Sequence, residues 1–377
     1  MENKIELKEI AKVFSKIGFI GFGGPAAHIA MMRDEVVVKR KWMSEQYFLD
    51  LLGATNLIPG PNSTEMAIHI GFDKGGWRGL VTAGMCFILP AVFLTSILAY
   101  LYIRYGQLPE LQPFIYGIKP AIIAIILAAI YPLAKQSVKS LNLGLIGITV
   151  LLAAVIGVNE IYLMLGAGLL AFGLHTIQNR QNDTLQSIVP FAFFLQIIQT
   201  TFWTATNAQL FWTFLKIGSI LYGSGYVLFA FIDTELVTKG LLTRQQLMDA
   251  IAVGQFTPGP VFSSVTFIGF QINGLSGAFI STIAIFLPSF VFVAMLNLLM
   301  KKLRNSKGFS AFLDAVNVAS VAVMMVVCLE MGKEIITDWR TMLIAFSSIA
   351  ITFGYRKINS AFVVLGSSLF GYLLFQI

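Results

Sequence analysis

Two Pro-Gly-Pro turns, Pro59-Gly60-Pro61 and Pro258-Gly259-Pro260, interrupt apolar stretches of the chain. Proline lacks a backbone N–H and glycine leaves the helical region at little cost, so each turn breaks one helix and starts another. Asn62-Ser63-Thr64-Glu65 follows the first turn, and Ser263-Ser264 lies just after the second. A new helix points unpaired N–H groups at the break, and its dipole adds partial positive charge there. Short hydroxyl and amide side chains suit that position as caps and also donate to an oxyanion. Two further breaks are GFGGP, with Gly23, Gly24 and Pro25, and Gly223-Ser224-Gly225-Tyr226. The plain alternative is four tight turns capped by serine. Four breaks in matching places favour a shared anion site.

Ionisable residues surround these breaks. Lys16 and Lys216 precede the first break of each half. A lysine near membrane depth is costly and marks a functional hypothesis. Two such cations would suit a dianion. Snorkelling to the interface is the alternative. It fits Lys16, which ends a basic run, better than Lys216, set between Phe214-Leu215 and Ile217. Proton coupling requires a group that titrates near working pH, such as a desolvated carboxylate or a histidine. Glu65 and His28 are the leading choices, and Asp50 and Asp249 are read as structural contacts. With three histidines so placed, no Ser-His-Asp set can be built. There is no His-Glu metal motif and no Walker loop, so no catalytic residue, metal or cofactor is expected.

The elements that position these residues are membrane spans. Of the 377 residues, 56% are hydrophobic and 12% charged, and mean hydropathy is +0.78. So little charge cannot cover a water-facing surface. The net charge of +7 is spread over short loops, which excludes a nucleic-acid-binding domain. Two cysteines, Cys86 and Cys328, make no disulfide framework. No signal peptide is read, and the first turns look like an amphipathic helix on the membrane surface. Apolar runs at 77–104, 113–134, 141–158 and 160–177 recur at 276–300, 309–332, 340–354 and 360–376, with an extra run at 188–205.

The halves repeat. Lys16-Ile17-Gly18 matches Lys216-Ile217-Gly218, Glu35 matches Glu235, Asp50 matches Asp249, and Leu89-Pro90 matches Leu287-Pro288. Four basic residues lie in loop 33–41 and two in 233–245, but one lies in 104–112 and four in 301–308. The bias changes sides, as inverted repeats require. With all four broken segments re-entrant, the chain has nine spans with its amino terminus inside, and inner loops hold 18 basic residues against 5 outside. Thirteen crossings are the other extreme. The expected fold is all-α and polytopic, with two inverted repeats, 1–177 and 208–377, joined by a linker and connecting helix at 178–207. The fused repeat makes one chain a complete unit, with a homodimer as the alternative.

GFGGPAAHIAMMRDEVV (21–37), KWMSEQYFLDLLGATNLIPGPNSTEMAIHIGF (41–72), GSGY (223–226) and VGQFTPGP (253–260) resemble the CHR family of chromate ion transporters in its long-chain form. The similarity covers essentially the whole chain. The matching motif positions are Gly23, Gly24, Pro25, His28, Glu35, Trp42, Pro59, Gly60 and Pro61, with Pro258, Gly259 and Pro260. The second half departs in lacking GGP and Asn-Ser-Thr-Glu. The resemblance implies a carrier of the bacterial inner membrane that exports chromate, a sulfate-like dianion, and confers chromate resistance, driven by the proton gradient or by anion exchange. An exchanger of sulfate or another oxyanion is the second reading, and a non-transporting membrane scaffold the third. The expected anion contacts are Lys16, Gly23, Gly24, Pro25, Asn62, Ser63, Thr64, Lys216, Ser224, Tyr226, Ser263 and Ser264.

Overall fold

The computed structural model describes residues 5–22, 24–106, 108, 112–178, 204–222, 227–303, 307–355, 358 and 360–376. Regular structure among them is helical. The first half holds α1 (Leu7–Ile20), α2 (Gly24–Arg33), α3 (Glu45–Thr55), α4 (Asn62–Tyr105), α5 (Gln112–Ser137), α6 (Leu141–Val155) and α7 (Glu160–Gln178). The second half repeats them as α8 (Ala205–Ile220), α9 (Val227–Ile232), α10 (Arg244–Phe256), α11 (Ser264–Leu303), α12 (Lys307–Ile335), α13 (Trp339–Gly354) and α14 (Ser360–Phe375). The connecting run expected at 188–205 lies almost wholly outside the described residues, as do Gly23, Ser224 and Tyr226.

The breaks fall where the sequence places them. α1 ends at Ile20, and α2 restarts at Gly24 with Pro25 in its first turn, where a missing N–H costs nothing. α4 and α11 turn sharply at Gly76 (φ 62°, ψ −150°) and Gly274 (φ 58°, ψ −149°). Only glycine adopts that conformation readily. α4 is thus a short arm up to Gly75 and a long span from Trp77. The two parts fold back together, because a side chain at Gly71 would collide with the Gly79 carbonyl, and the same holds for Gly269 and Gly277.

Each first-half hairpin therefore runs back along itself. α2 and the π-helical turn Asp34–Lys39 run back along α1: His28 meets Gly21, Lys16 meets Glu35 at 2.8 Å, and Arg40 meets Glu9 at 3.7 Å. α3 and the short arm of α4 pair likewise, with the Tyr47 hydroxyl donating to Asp73 at 2.6 Å. This is the hairpin shape that the re-entrant reading requires. α1 is not a free surface helix. Ile10, Val13, Phe14 and Ile17 are buried, and the helix packs along α4.

The equivalent helices α5 and α12 run antiparallel. Tyr116, early in α5, donates to Asp338 beyond the end of α12, and Lys139 beyond α5 pairs with Asp314 early in α12. α13 and α14 pack on α5, while α6 and α7 pack on α12, so the two repeats interlock. α4 and α11 also pack on each other across the halves. Among the described residues, four helices are long and apolar enough to cross a membrane: Asn62–Tyr105, Gln112–Ser137, Val261–Leu296 and Ser310–Ile335. α6 is shorter than the run expected at 141–158, because the chain turns at Gly157 (φ 87°).

The inversion predicts opposite labelling of equivalent loops. Val38 and Thr238 are both exposed. Single cysteines there, in a background without Cys86 and Cys328, should react with an impermeant maleimide from opposite faces of sealed vesicles. Reaction from one face would exclude inverted repeats.

Candidate functional site

The four breaks meet in two crossings, each built from both repeats. The Gly60 N–H donates to the Leu221 carbonyl at 2.7 Å. The Gly259 N–H donates to the Gly21 carbonyl at 2.8 Å. Each Pro-Gly-Pro turn is thus tied to the first break of the opposite repeat. Each also sits on the proline-bearing span of that repeat. A side chain at Gly60 would approach Ser289, next to Pro288, and one at Gly259 would lie 2.8 Å from Ala91 Cβ, next to Pro90. A proline inside a helix leaves a carbonyl unpaired and bends the span, which opens space for the turn.

The residues after the turns are buried. Ser63, Thr64, Glu65, Ser263 and Ser264 are each at most 1% exposed. Thr64 Oγ1, Ser263 Oγ, Ser264 Oγ and Glu65 Oε2 have no hydrogen-bond partner. Glu65 Oε1 accepts from Ser289 Oγ at 3.3 Å across the repeat boundary. Buried polar groups are normally paired, so unpaired ones at a helix start mark a place for a ligand or a proton. Asn62 is less buried; its amide donates to Asn56 Oδ1 at 2.8 Å. A cavity of about 370 Å³ reaches this point, lined among others by Asn56, Asn62, Tyr222, Lys139, Asp314 and Asn317. Neutral amides, a phenol and the Lys139–Asp314 pair share its lining. The sequence reading missed Asn56, Tyr222 and Asn317. Asn56 and Tyr222 flank breaks, which was the available signal.

His28 holds the first hairpin together. Its Nε2 lies 2.8 Å from the Gly21 carbonyl and its Nδ1 3.4 Å from Ser63 Oγ. Donation from Nε2 leaves Nδ1 to accept the serine proton, which is the arrangement of a neutral imidazole. Its ring meets Phe87 edge-on at 5.3 Å. Gly24 and Pro25 lie in the first turn of α2, and nothing lies within 4 Å of a side chain placed at Gly24.

The structure places Lys16 and Lys216 in ion pairs inside their own hairpins. Lys16 pairs with Glu35 and Lys216 with Glu235, while Lys39 and Lys239 complete each set one helical turn on. Both lysine side chains are well exposed, at 49% and 40%, while the glutamates are buried. Neither lysine lines the cavity. Burial raises the Glu35 carboxyl, but hydrogen bonds from Lys16, Lys39 and Arg40 outweigh it and bring it down to about 2. The same opposition lowers Glu235 through Lys216 and Lys239. A second tether repeats with its charges exchanged. Arg33 pairs with Glu45 at 2.6 Å in the first repeat, and Arg244 with Asp233 at 2.9 Å in the second.

Two outcomes follow from this geometry. A depressed carboxylate stabilises the fold at pH values above its unfolded pKa and loses that contribution as pH falls through its folded value. Glu35→Gln should therefore lower the melting temperature in detergent near neutral pH, with the gap to wild type closing as pH falls from about 4.5 to about 2. A gap unchanged with pH would show that charge is not the cause. Gly259 has φ +90° and touches Ala91, so Gly259→Ala should cost ~1–3 kcal/mol of stability. Gly166→Ala, with open space around it, should cost nothing by the same melting assay. Equal melting temperatures for the two variants would contradict the crossing geometry.

A family model described as "Chromate transporter" matches residues 8–172 and again 208–372. The chromate transport protein of Cupriavidus metallidurans is 29% identical, over 98% of this chain and 94% of its own. The probable chromate transport protein of Synechococcus elongatus is 30% identical, over 90% of this chain and 88% of its own. The chromate transport protein of Pseudomonas aeruginosa is 28% identical, over 96% of this chain and 91% of its own. No solved structure matches the chain. This is a family of transporters and not of enzymes, and its apolar helices make the chain a multi-pass integral membrane protein. The double match and the full-length relatives establish that the chain belongs to the chromate transporter family.

Proposed function

We propose that this protein carries chromate, or a tetrahedral dianion of the same shape such as sulfate, out across the bacterial inner membrane. The single observation that carries the reading is the start of α4 at Asn62. It opens on a cavity between the repeats, beside three buried polar positions that include an unpaired hydroxyl and an unpaired carboxylate oxygen. The backbone N–H groups of Asn62 and Ser63, with the Asn62 amide and the Thr64 hydroxyl, bind the anion. Tyr222 and Asn317 close the site from the second repeat. Ser263 and Ser264 form the matching half-site at the other crossing. Lys16 and Lys216 act through Glu35 and Glu235, holding each hairpin in register. Alternating access comes from rocking of one repeat's hairpins against the other's spans.

Glu65 is the proton carrier in this account. A buried carboxylate with one oxygen unpaired is expensive as an anion unless it binds a proton or faces a cation. A dianion arriving at the Asn62 start adds like charge and favours uptake of a proton by Glu65. Movement of both together is driven by the proton gradient. His28 fixes the hairpin that faces Glu65's helix and moves no proton in this reading. Anion exchange without proton coupling is the alternative drive.

Chromate uptake into inside-out vesicles, with and without a proton gradient and with excess sulfate, tests this. Gradient-dependent uptake that sulfate inhibits is expected. Glu65→Gln should retain exchange of internal for external anion yet lose the response to the gradient, and Asn62→Ala should weaken apparent affinity about tenfold. Exchange that ignores the gradient in the wild type would select the sulfate-exchanger reading. No anion flux from folded protein would leave the scaffold.

A further inference from the structure

The cavity at the first crossing has a counterpart position at the second. Asn317 of α12 lines the cavity, and at the spacing of 198 that relates Pro90 to Pro288 its equivalent in α5 is Lys119. Asp249, on the arm that leads into the second Pro-Gly-Pro turn, is 5% exposed. Tyr102 Oη donates to its Oδ2 at 2.5 Å, and Lys119 Nζ lies 3.9 Å from its Oδ1. The Lys119 side chain is 15% exposed. The Tyr102 ring also rests on Phe267 of α11, with centroids 5.3 Å apart. Three elements from two repeats thus meet at one carboxylate: the end of α4, the segment of α5 just before Pro120, and α10.

We propose that Lys119 is an anion-binding residue of the transport path, held in this state by a latch it forms with Asp249 and Tyr102. The inference rests on the carrier reading above. Chemistry recommends the exchange of partners. An ammonium at 3.9 Å from a carboxylate is paired but not in tight contact, and a tetrahedral dianion offers it more charge and more acceptor oxygens. Arrival of the dianion from the latch side therefore competes with Asp249 for Lys119. Loss of that pair frees Asp249 from α5 and leaves it held by the Tyr102 hydroxyl of α4. At the first crossing the equivalent residues are Asp50 and Asn317, an amide where the second has the ammonium. The anion meets an ammonium at one crossing and an amide at the equivalent position of the other, so the two crossings bind it with different strength.

The test uses Lys119→Cys in a full-length chain from which Cys86 and Cys328 have been removed, reconstituted in liposomes. Uptake of radiolabelled sulfate should show an apparent affinity at least about tenfold weaker than in the cysteine-free parent. Aminoethyl methanethiosulfonate restores an ammonium at nearly lysine length and should restore the affinity. Methyl methanethiosulfonate adds bulk without charge and should not. Sulfate in the medium should slow the aminoethyl reaction. Asp249→Asn, tested separately in the parent, should tighten apparent sulfate affinity several-fold by freeing Lys119. Unchanged affinity in Lys119→Cys, equal rescue by the neutral reagent, or unchanged affinity in Asp249→Asn would each overturn the proposal. Should Lys119→Cys fail to fold, the Asp249→Asn result decides alone. A cysteine-free parent, shown to be folded, that moves neither sulfate nor chromate would overturn the carrier reading itself.

Discussion

Two backbone hydrogen bonds, Gly60 N–H to the Leu221 carbonyl and Gly259 N–H to the Gly21 carbonyl, govern this architecture. A helix that breaks at membrane depth exposes peptide groups to a medium that cannot hydrate them, at ~2–7 kcal/mol for each group left unpaired. Here each break supplies the missing partner of the other repeat's break. Neither repeat satisfies its own turns at these glycines. The two halves must therefore fold together, and in inverted orientation, for a turn entering from one face to meet a turn entering from the other.

Much of the remaining structure serves that meeting. Pro90 and Pro288 bend the spans on which the opposing turns rest. Gly76 and Gly274 reverse the chain so that each short arm lies beside its own span. The Lys16–Glu35 and Lys216–Glu235 pairs fix the first hairpin of each repeat, and the Arg33–Glu45 and Arg244–Asp233 pairs fix the second hairpin to the first. The exchange of α6–α7 with α13–α14 places the opposite repeat's helices around each of α5 and α12. Substrate chemistry then appears where the constraint is relaxed. At the start of α4, hydroxyl and carboxyl oxygens stay unpaired next to a cavity.

The turns, the repeat offsets and the hairpins were legible because proline, glycine and basic loops leave marks that a membrane enforces. The pairing of Lys16 with Glu35 was also within reach, since both recur at the same spacing in Lys216 and Glu235. The recurrence alone does not name it as a pair, because periodicity says nothing about partners far apart along the chain. The interlocking of the terminal hairpins left no mark. α6, α7, α13 and α14 are apolar around most of their surface, so nothing in their residues names the helix they pack on. Lys119 carries the same signal as Lys216, a lone cation in an apolar run, and only the fold brings Asp249 and Tyr102 together beside it.

The most direct measurement of the central claim is a density map of the protein in nanodiscs with selenate, a tetrahedral dianion heavy enough to locate. The account predicts selenate within hydrogen-bond reach of the Asn62 and Ser63 backbone N–H groups, between the first Pro-Gly-Pro turn and Tyr222. Selenate bound instead at the Lys16–Glu35 and Lys216–Glu235 pairs, with the helix start empty, would contradict it.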